Sequence, residues 1–221
     1  KAIQSMTVRQ VQETAQRYFV SHRSSTVIVE PLSSAAKQTN VKAPALVRQS
    51  VEKLVLPNGL TVLLGHNPRL PLVSLRAGFL AGVLSESDAN AGVTQVAAQL
   101  LLKGTKTRTA EQLASALEER GGSLHANGDA HRLTLGAEVV AGDEALALEL
   151  MHDLATQALL TPAALDSVKK RQLASIREEQ EDPLTVALRQ TRREIFAGTP
   201  FARTALGTLA SIPSLKTADC R

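Results

Sequence analysis

The chain has 221 residues, enough for one large domain or for one domain with a piece of another. Hydrophobic residues make up 43% but aromatic ones only 2%, so the core has to be built from Leu, Val, Ile and Ala. The mild net charge of +4, 25 Lys and Arg scattered among 21 Asp and Glu, argues against a nucleic-acid reader, which clusters its positive charge and adds stacking rings for single strands.

The single cysteine, Cys220, rules out an intrachain disulfide. No stretch reaches the roughly 20 apolar residues that cross a bilayer, so no membrane partner is expected. The chain opens on Lys1-Ala2-Ile3-Gln4, neither Met nor a signal peptide, and is expected to be a fragment of a longer protein.

The first predicted element is a helix, with Thr7 as N-cap and Val8, Val11, Ala15 and Phe19 near helical spacing. Thr26-Val27-Ile28-Val29-Glu30 reads as a strand ended by Pro31, and residues 32–49 lose periodicity and read as a linker. Val51 to Leu56, Pro57-Asn58-Gly59, then Leu60 to Leu64 predicts a hairpin whose Asn-Gly supplies the positive φ of a tight turn. Leu70 to Leu80 is a further strand. Asn90 to Lys103 is an Ala- and Leu-rich helix stopped by Gly104, and Thr109-Ala110-Glu111-Gln112 is a capping box opening the next helix. Strands at Ser123 to Asn127 and Arg132 to Val140 flank a turn at Gly128-Asp129. Helices follow over Asp143 to Leu159, Pro162 to Glu181 and Pro183 to Ala197, then an irregular arm to Arg221. This order predicts an α+β fold, a mixed or antiparallel β-sheet covered by helices on one face.

Leu56-Pro57-Asn58-Gly59-Leu60, Ala77-Gly78, Gly82-Val83 with Glu86, Gly92-Val93 and Lys103-Gly104-Thr105 together resemble the opening of a pitrilysin/insulinase-family domain. Leu117-Glu118 to Gly121-Gly122-Ser123, Glu181-Asp182-Pro183 and Ala205-Leu206-Gly207-Thr208 to Ile212 continue the resemblance. Residues 1–31, helix then strand, resemble how such a domain ends. The resemblance therefore implies the tail of a preceding repeat (1–31), a linker (32–49) and the first half of a second repeat (50–221). Members carry two repeats that close around a peptide, typically with metal in one.

Family catalysis uses an inverted zinc motif, H-x-x-E-H: two imidazoles one helical turn apart bind zinc, and the Glu activates water. Counted back from Lys103-Gly104-Thr105, the His positions fall on Gln95 and Gln99 and the Glu position on Ala98. The third-ligand position, anchored on Glu181-Asp182-Pro183, falls on Ala174 or Ser175; a slip of one turn would bring Glu178 there instead. A neutral amide is a poor zinc donor, and Ala98 cannot take a proton. The resemblance thus implies a non-catalytic repeat with no cofactor of its own, zinc residing in the catalytic half of a zinc-dependent metalloendopeptidase. Implied partners are that catalytic repeat, in the same or a partner chain, and a peptide or protein substrate, with a homodimer through exposed sheet or linker surfaces. A periplasmic or secreted bacterial location follows by analogy. The competing reading is an active zinc metallopeptidase fragment with a non-canonical or misaligned site.

Other chemistry is thin. His125 and His131 are an even spacing apart, but the Gly128-Asp129 turn interrupts their register. Ser50, Ser85 and Cys220 have acids nearby in sequence, Glu52, Glu86 and Asp219, but no histidine. The acidic runs Glu118-Glu119 and Glu178 to Asp182 read as solvated helix faces.

Overall fold

The computed structural model describes residues 7–20 and 51–220. The strand expected at 26–30 and the linker at 32–49 lie outside the described residues. The chain divides into two compact units, Lys1–Ser50 and Val51–Arg221. In the first, helix α1 spans Val8–Tyr18 and opens on a capping box: Gln10 N donates to Thr7 Oγ1 (3.3 Å) and Thr7 N to Gln10 Oε1 (2.9 Å). No residue of α1 is buried.

The second unit begins with a hairpin, β1 (Val51–Val55) paired antiparallel with β2 (Thr61–Gly65), Val55 facing Thr61. Of the Asn-Gly pair only Gly59 takes a positive φ, 84°; Asn58 instead accepts from Leu60 N through Oδ1 at 3.1 Å. The loop is therefore longer than the tight two-residue turn that the dipeptide predicts.

Strand β3 (Leu72–Leu80), helices α2 (Val93–Leu101) and α3 (Ala110–Glu118), strands β4 (Ser123–Gly128) and β5 (Arg132–Val140), and helices α4 (Glu144–Gln157), α5 (Pro162–Glu181) and α6 (Pro183–Ile195) follow, then an arm holding the short helix α7 (Ser211–Ser214). The sheet order is β3-β5-β4, and every pairing among the described residues is antiparallel, so the sheet expected as mixed or antiparallel is antiparallel here.

Alternation decides which face is covered. Leu135, Ala137 and Val139 of β5 and Ala126 of β4 are buried against Leu113 and Leu117 of α3 and Ala147, Leu150, Met151 and Leu154 of α4. Residues one step out of phase, Ser123, Asn127 and Glu138, are exposed on the other face. A second apolar cluster joins Val93, Val96 and Leu100 of α2 to Leu165, Val168 and Ile176 of α5 and to Ile212 and Leu215 of the arm. Helix α2 therefore packs into both cores, with Ala98 entering the first. No helix among the described residues is long and apolar enough to cross a membrane.

Candidate functional site

Helix α2 carries the positions expected to matter, and its start is fixed by a buried carboxylate. Glu86 Oε2 accepts from Gly92 N (2.8 Å) and Oε1 from Thr94 N (2.9 Å), which satisfies amides that a helix N-terminus leaves unpaired. Thr94 Oγ1 in turn accepts from Gly82 N at 3.0 Å. The helix begins at Val93, not at the predicted Asn90, because Gly92 adopts a left-handed conformation (φ 88°) that ends the preceding turn.

Gln95 and Gln99 lie on the side of α2 that meets β4. Asp129 N donates to Arg132 O (2.9 Å), so the alternation of antiparallel pairs turns the backbone groups of Gly128, Ala126 and Leu124 away from β5, toward the sheet edge. Two of these outward groups are taken by the glutamines: Gly128 N donates to Gln95 Oε1 (2.7 Å), and Gln99 Nε2 donates to Ala126 O (3.4 Å). The amide serves this role because it both accepts and donates, as the edge requires. Between the two, Ala98 is fully buried and packs with the sheet core.

Gly128 makes the junction close enough. A Cβ there would stand 2.8 Å from Gln95 N and 2.9 Å from Thr94 C, both backbone atoms. The residue read from sequence as part of a turn is thus the last residue of β4, required for the approach of a helix. Nothing in its sequence neighbourhood distinguishes the two roles.

The downstream helix does not complete a ligand set. Ser175 is half-buried, Ala174 is exposed, and Glu178, which a one-turn slip would bring into play, is exposed as well. What α5 sends toward α2 is Gln172, buried, whose Nε2 donates to Gly92 O (3.3 Å) and Leu206 O (2.8 Å). This third amide joins α5, the start of α2 and the arm, and the sequence reading missed it; its regular spacing with Leu165, Val168 and Ile176 was the available signal. Among the described residues no three His, Cys, Asp or Glu side chains converge where they could hold a metal ion.

The remaining candidates separate. The His125 ring covers Gly136 across the strand pair, where a Cβ would be 2.2 Å from Nε2. His131 instead sits in the turn with its ring edge against Phe201 (5.7 Å between centroids). Ser85 Oγ donates to Gly82 O at 2.9 Å, a local turn bond. Ser50 lies outside the described residues. Burial, reinforced by the neighbouring Asp219 charge, pushes the Cys220 thiol up to about 11, so it is protonated at neutral pH and a poor nucleophile.

The Gly104 turn that follows α2 is clamped to the rest of the domain. Leu159 N donates to Gly104 O (2.9 Å), and buried Asp153 of α4 accepts from Thr107 Oγ1 (3.0 Å) and from the Arg108 guanidinium, which also holds Glu149. The Glu149 hydrogen bond, with smaller help from Asp153, raises Arg108 above the usual arginine range.

The sequence model of the insulinase family, peptidase family M16, matches residues 61–209. The chain belongs to family M16. The non-peptidase homolog YmxG of Helicobacter pylori is 29% identical over 181 residues, covering 82% of this chain and 41% of that protein. An uncharacterized zinc protease of Mycobacterium leprae is 28% identical over 166 residues, covering 74% and 37%. The crystal structure of a peptidase M16 inactive domain from Pseudomonas fluorescens superposes with a TM-score of 0.70 at 20% identity, over 77% of this chain and 42% of that one. The fold is therefore that of an M16 domain, and the chain spans about two-fifths of the length of the relatives it matches.

Proposed function

We propose that this chain is a non-catalytic M16 domain that binds peptide or protein substrate and helps a catalytic half close its chamber, holding no zinc itself. The observation that carries this reading is the employment of α2: at the H-x-x-E-H positions, Gln95 and Gln99 bond the β4 edge and Ala98 fills the core. Side chains so used are parts of the fold, and none of them can activate water. The kinship with a non-peptidase homolog supports the same reading.

In this reading residues 1–31 are the tail of a preceding repeat, 32–49 a linker, and 50–221 the first half of an inactive repeat. Its partner is a zinc-bearing catalytic repeat, in the same or another chain, and the assembled enzyme is a zinc-dependent metalloendopeptidase working in the bacterial periplasm or outside the cell. Extended peptide adds to the sheet where its edges are uncovered, along β3 or at the start of β4 around Leu124, since the glutamines take the groups farther along. The large exposed apolar side chains of β1 to β3, Leu63, Leu72 and Leu80 among them, support self-association into a homodimer.

The test is metal analysis and peptide hydrolysis on the purified chain, alone and mixed with a separate chain bearing an intact H-x-x-E-H. The expected result is no retained zinc and no cleavage alone, with cleavage by the mixture faster than by the catalytic chain alone. Near-stoichiometric zinc with chelator-sensitive hydrolysis by this chain alone would overturn the proposal and favour an active metallopeptidase. Light scattering across concentrations checks the dimer, which a constant monomer mass would refute.

A further inference from the structure

Outside α2, charge gathers where α6 meets the arm. Arg189, Arg192 and Arg193 follow one another at i, i+3 and i+4, so they share one side of α6. The arm sends Arg203 toward them. Arg203 borders three adjoining cavities, of about 890, 390 and 210 Å³, which also reach Arg193, Arg192 and Arg189. These cavities form a trough from the β4–β5 turn, beside His131 and Phe201, to the start of α7.

Two of the four guanidiniums are anchored. Arg203 Nε donates to Asp88 Oδ1 (2.7 Å) and Nη1 to Glu86 O (3.0 Å), and Arg189 Nη2 donates to Glu179 Oε2 (2.7 Å). Arg192 and Arg193 have no carboxylate within ion-pair distance among the described residues, and both are exposed to the trough's solvent. The site thus holds rigid forks suited to bidentate carboxylate contacts, with positive charge left uncompensated.

We infer that this trough binds an acidic stretch of extended peptide, its carboxylates taken by Arg192 and Arg193 beside Arg203 and an apolar residue resting near Phe201. The inference rests on the proposed peptide-binding function and adds the class of peptide. Length argues for a chain over a single small anion, since the arginines are spread along adjoining cavities. Aromatic content argues against a nucleic acid: among the described residues beside the arginines, only Phe196, Phe201 and His131 offer rings, tilted against one another (53° and 61°) with no row of parallel stacking platforms for successive bases.

The experiment is fluorescence anisotropy on the 221-residue chain with labelled peptides of about 12 residues, acidic, neutral and basic, otherwise matched in apolar content. The acidic peptide is expected to bind at least about tenfold tighter than the neutral one, the scale of one or two charge-assisted contacts. In R192E/R193E, and more mildly in R192Q/R193Q, that preference should fall to within about twofold while binding of the neutral peptide persists. R192Q/R193Q should keep a melting temperature close to wild type, since neither side chain has an ion-pair partner to lose, whereas R192E/R193E, which sets two acids in the last turn of α6, should lower it modestly. Equal affinity for acidic and neutral peptides, or a preference that survives both variants, would overturn the trough while leaving peptide binding in place. Failure to bind any peptide would overturn both readings. Displacement of the acidic peptide by a single-stranded oligonucleotide at lower charge concentration would also overturn this assignment, in favour of a nucleic-acid site.

Discussion

The α2–β4 junction and the α6–arm region use their polar side chains in opposite ways. At the junction, each named polar group is committed: Glu86 to the helix start, Gln95 and Gln99 to the strand edge, Gln172 to the arm. Along α6 no residue is buried, and Leu184, Leu188 and Ile195 face outward as freely as Arg192 and Arg193 do. The M16 fold here uses the α2–β4 junction for internal cohesion and leaves the surface of α6 open. A change at the junction should therefore register as lost stability, and a change on α6 as altered binding.

The sharpest way to break this contrast is to introduce an H-x-x-E-H motif into α2. Ala98→Glu places a carboxylate in a fully buried position lined by apolar residues, with no partner to neutralise it. We expect a loss of about 3–5 kcal/mol, measured by urea unfolding. The triple change Q95H/A98E/Q99H should be no better and should not retain zinc through gel filtration, because Ser175 supplies no third carboxylate. Leu188→Glu on α6 is the matching control, expected to shift stability by less than about 0.5 kcal/mol. Equal losses at the two sites would end the comparison.

Gly128→Ala comes next. Its Cβ would press on the backbone of Thr94 and Gln95, atoms that cannot move without shifting α2. About 2 kcal/mol should be lost, read in the same unfolding experiment. An unchanged midpoint would mean that helix and strand sit too far apart for a Cβ at Gly128 to meet the α2 backbone.

Removing the two amides isolates the hydrogen bonds. Q95A/Q99A leaves Gly128 N and Ala126 O without their side-chain partners at the sheet edge. The expected cost is about 1–2 kcal/mol, with most of it from Gln95, since its bond is the shorter. Native-state hydrogen exchange gives the decisive readout: the Gly128 amide should exchange at least about tenfold faster while amides within the β3–β5 ladder stay protected. No change at Gly128 would sink the edge-latch interpretation. Improved pairing of extended peptide with this variant would sharpen it, by showing that the glutamines keep the edge closed.

Much of the fold was legible because it rests on local signals. Thr7 caps α1 and Thr109 opens α3 on its capping box as their sequences spell out, Pro162 and Pro183 sit in first helical turns, and β4 and β5 alternate as their apolar residues require. Counting from Lys103-Gly104-Thr105 singled out Gln95, Ala98 and Gln99 on α2 as the residues to watch. What they do was hidden, because Gln95 and Gln99 bond residues 33 and 27 positions away. Gly128 illustrates the same limit: a glycine beside Asp129 reads as a turn, whereas its value comes from a helix that only the fold brings near. The gathering of Arg203 with Arg189, Arg192 and Arg193 was likewise invisible to net charge, which averages over a scattered sequence.

Cys220 tests the packed side of the comparison most gently, through pH. Its thiol lies against the α2–α5 cluster, and burial first, then the Asp219 charge, raises it to about 11 from the ordinary value of 9.0. A raised value means that the folded state holds the proton longer than the unfolded chain does. The thiol's contribution to stability is thus fully present below pH 9.0 and declines as pH climbs toward about 11. Partial solvent contact makes this effect small, so the comparison should be made against Cys220→Ser, whose melting temperature should fall less steeply over that range. Alkylation offers an independent measure. At pH 8 iodoacetamide should modify native Cys220 at least about tenfold more slowly than it modifies the urea-unfolded chain, because so little thiolate is present. Native and unfolded rates that match would place the thiol in open water and detach it from the α2–α5 cluster.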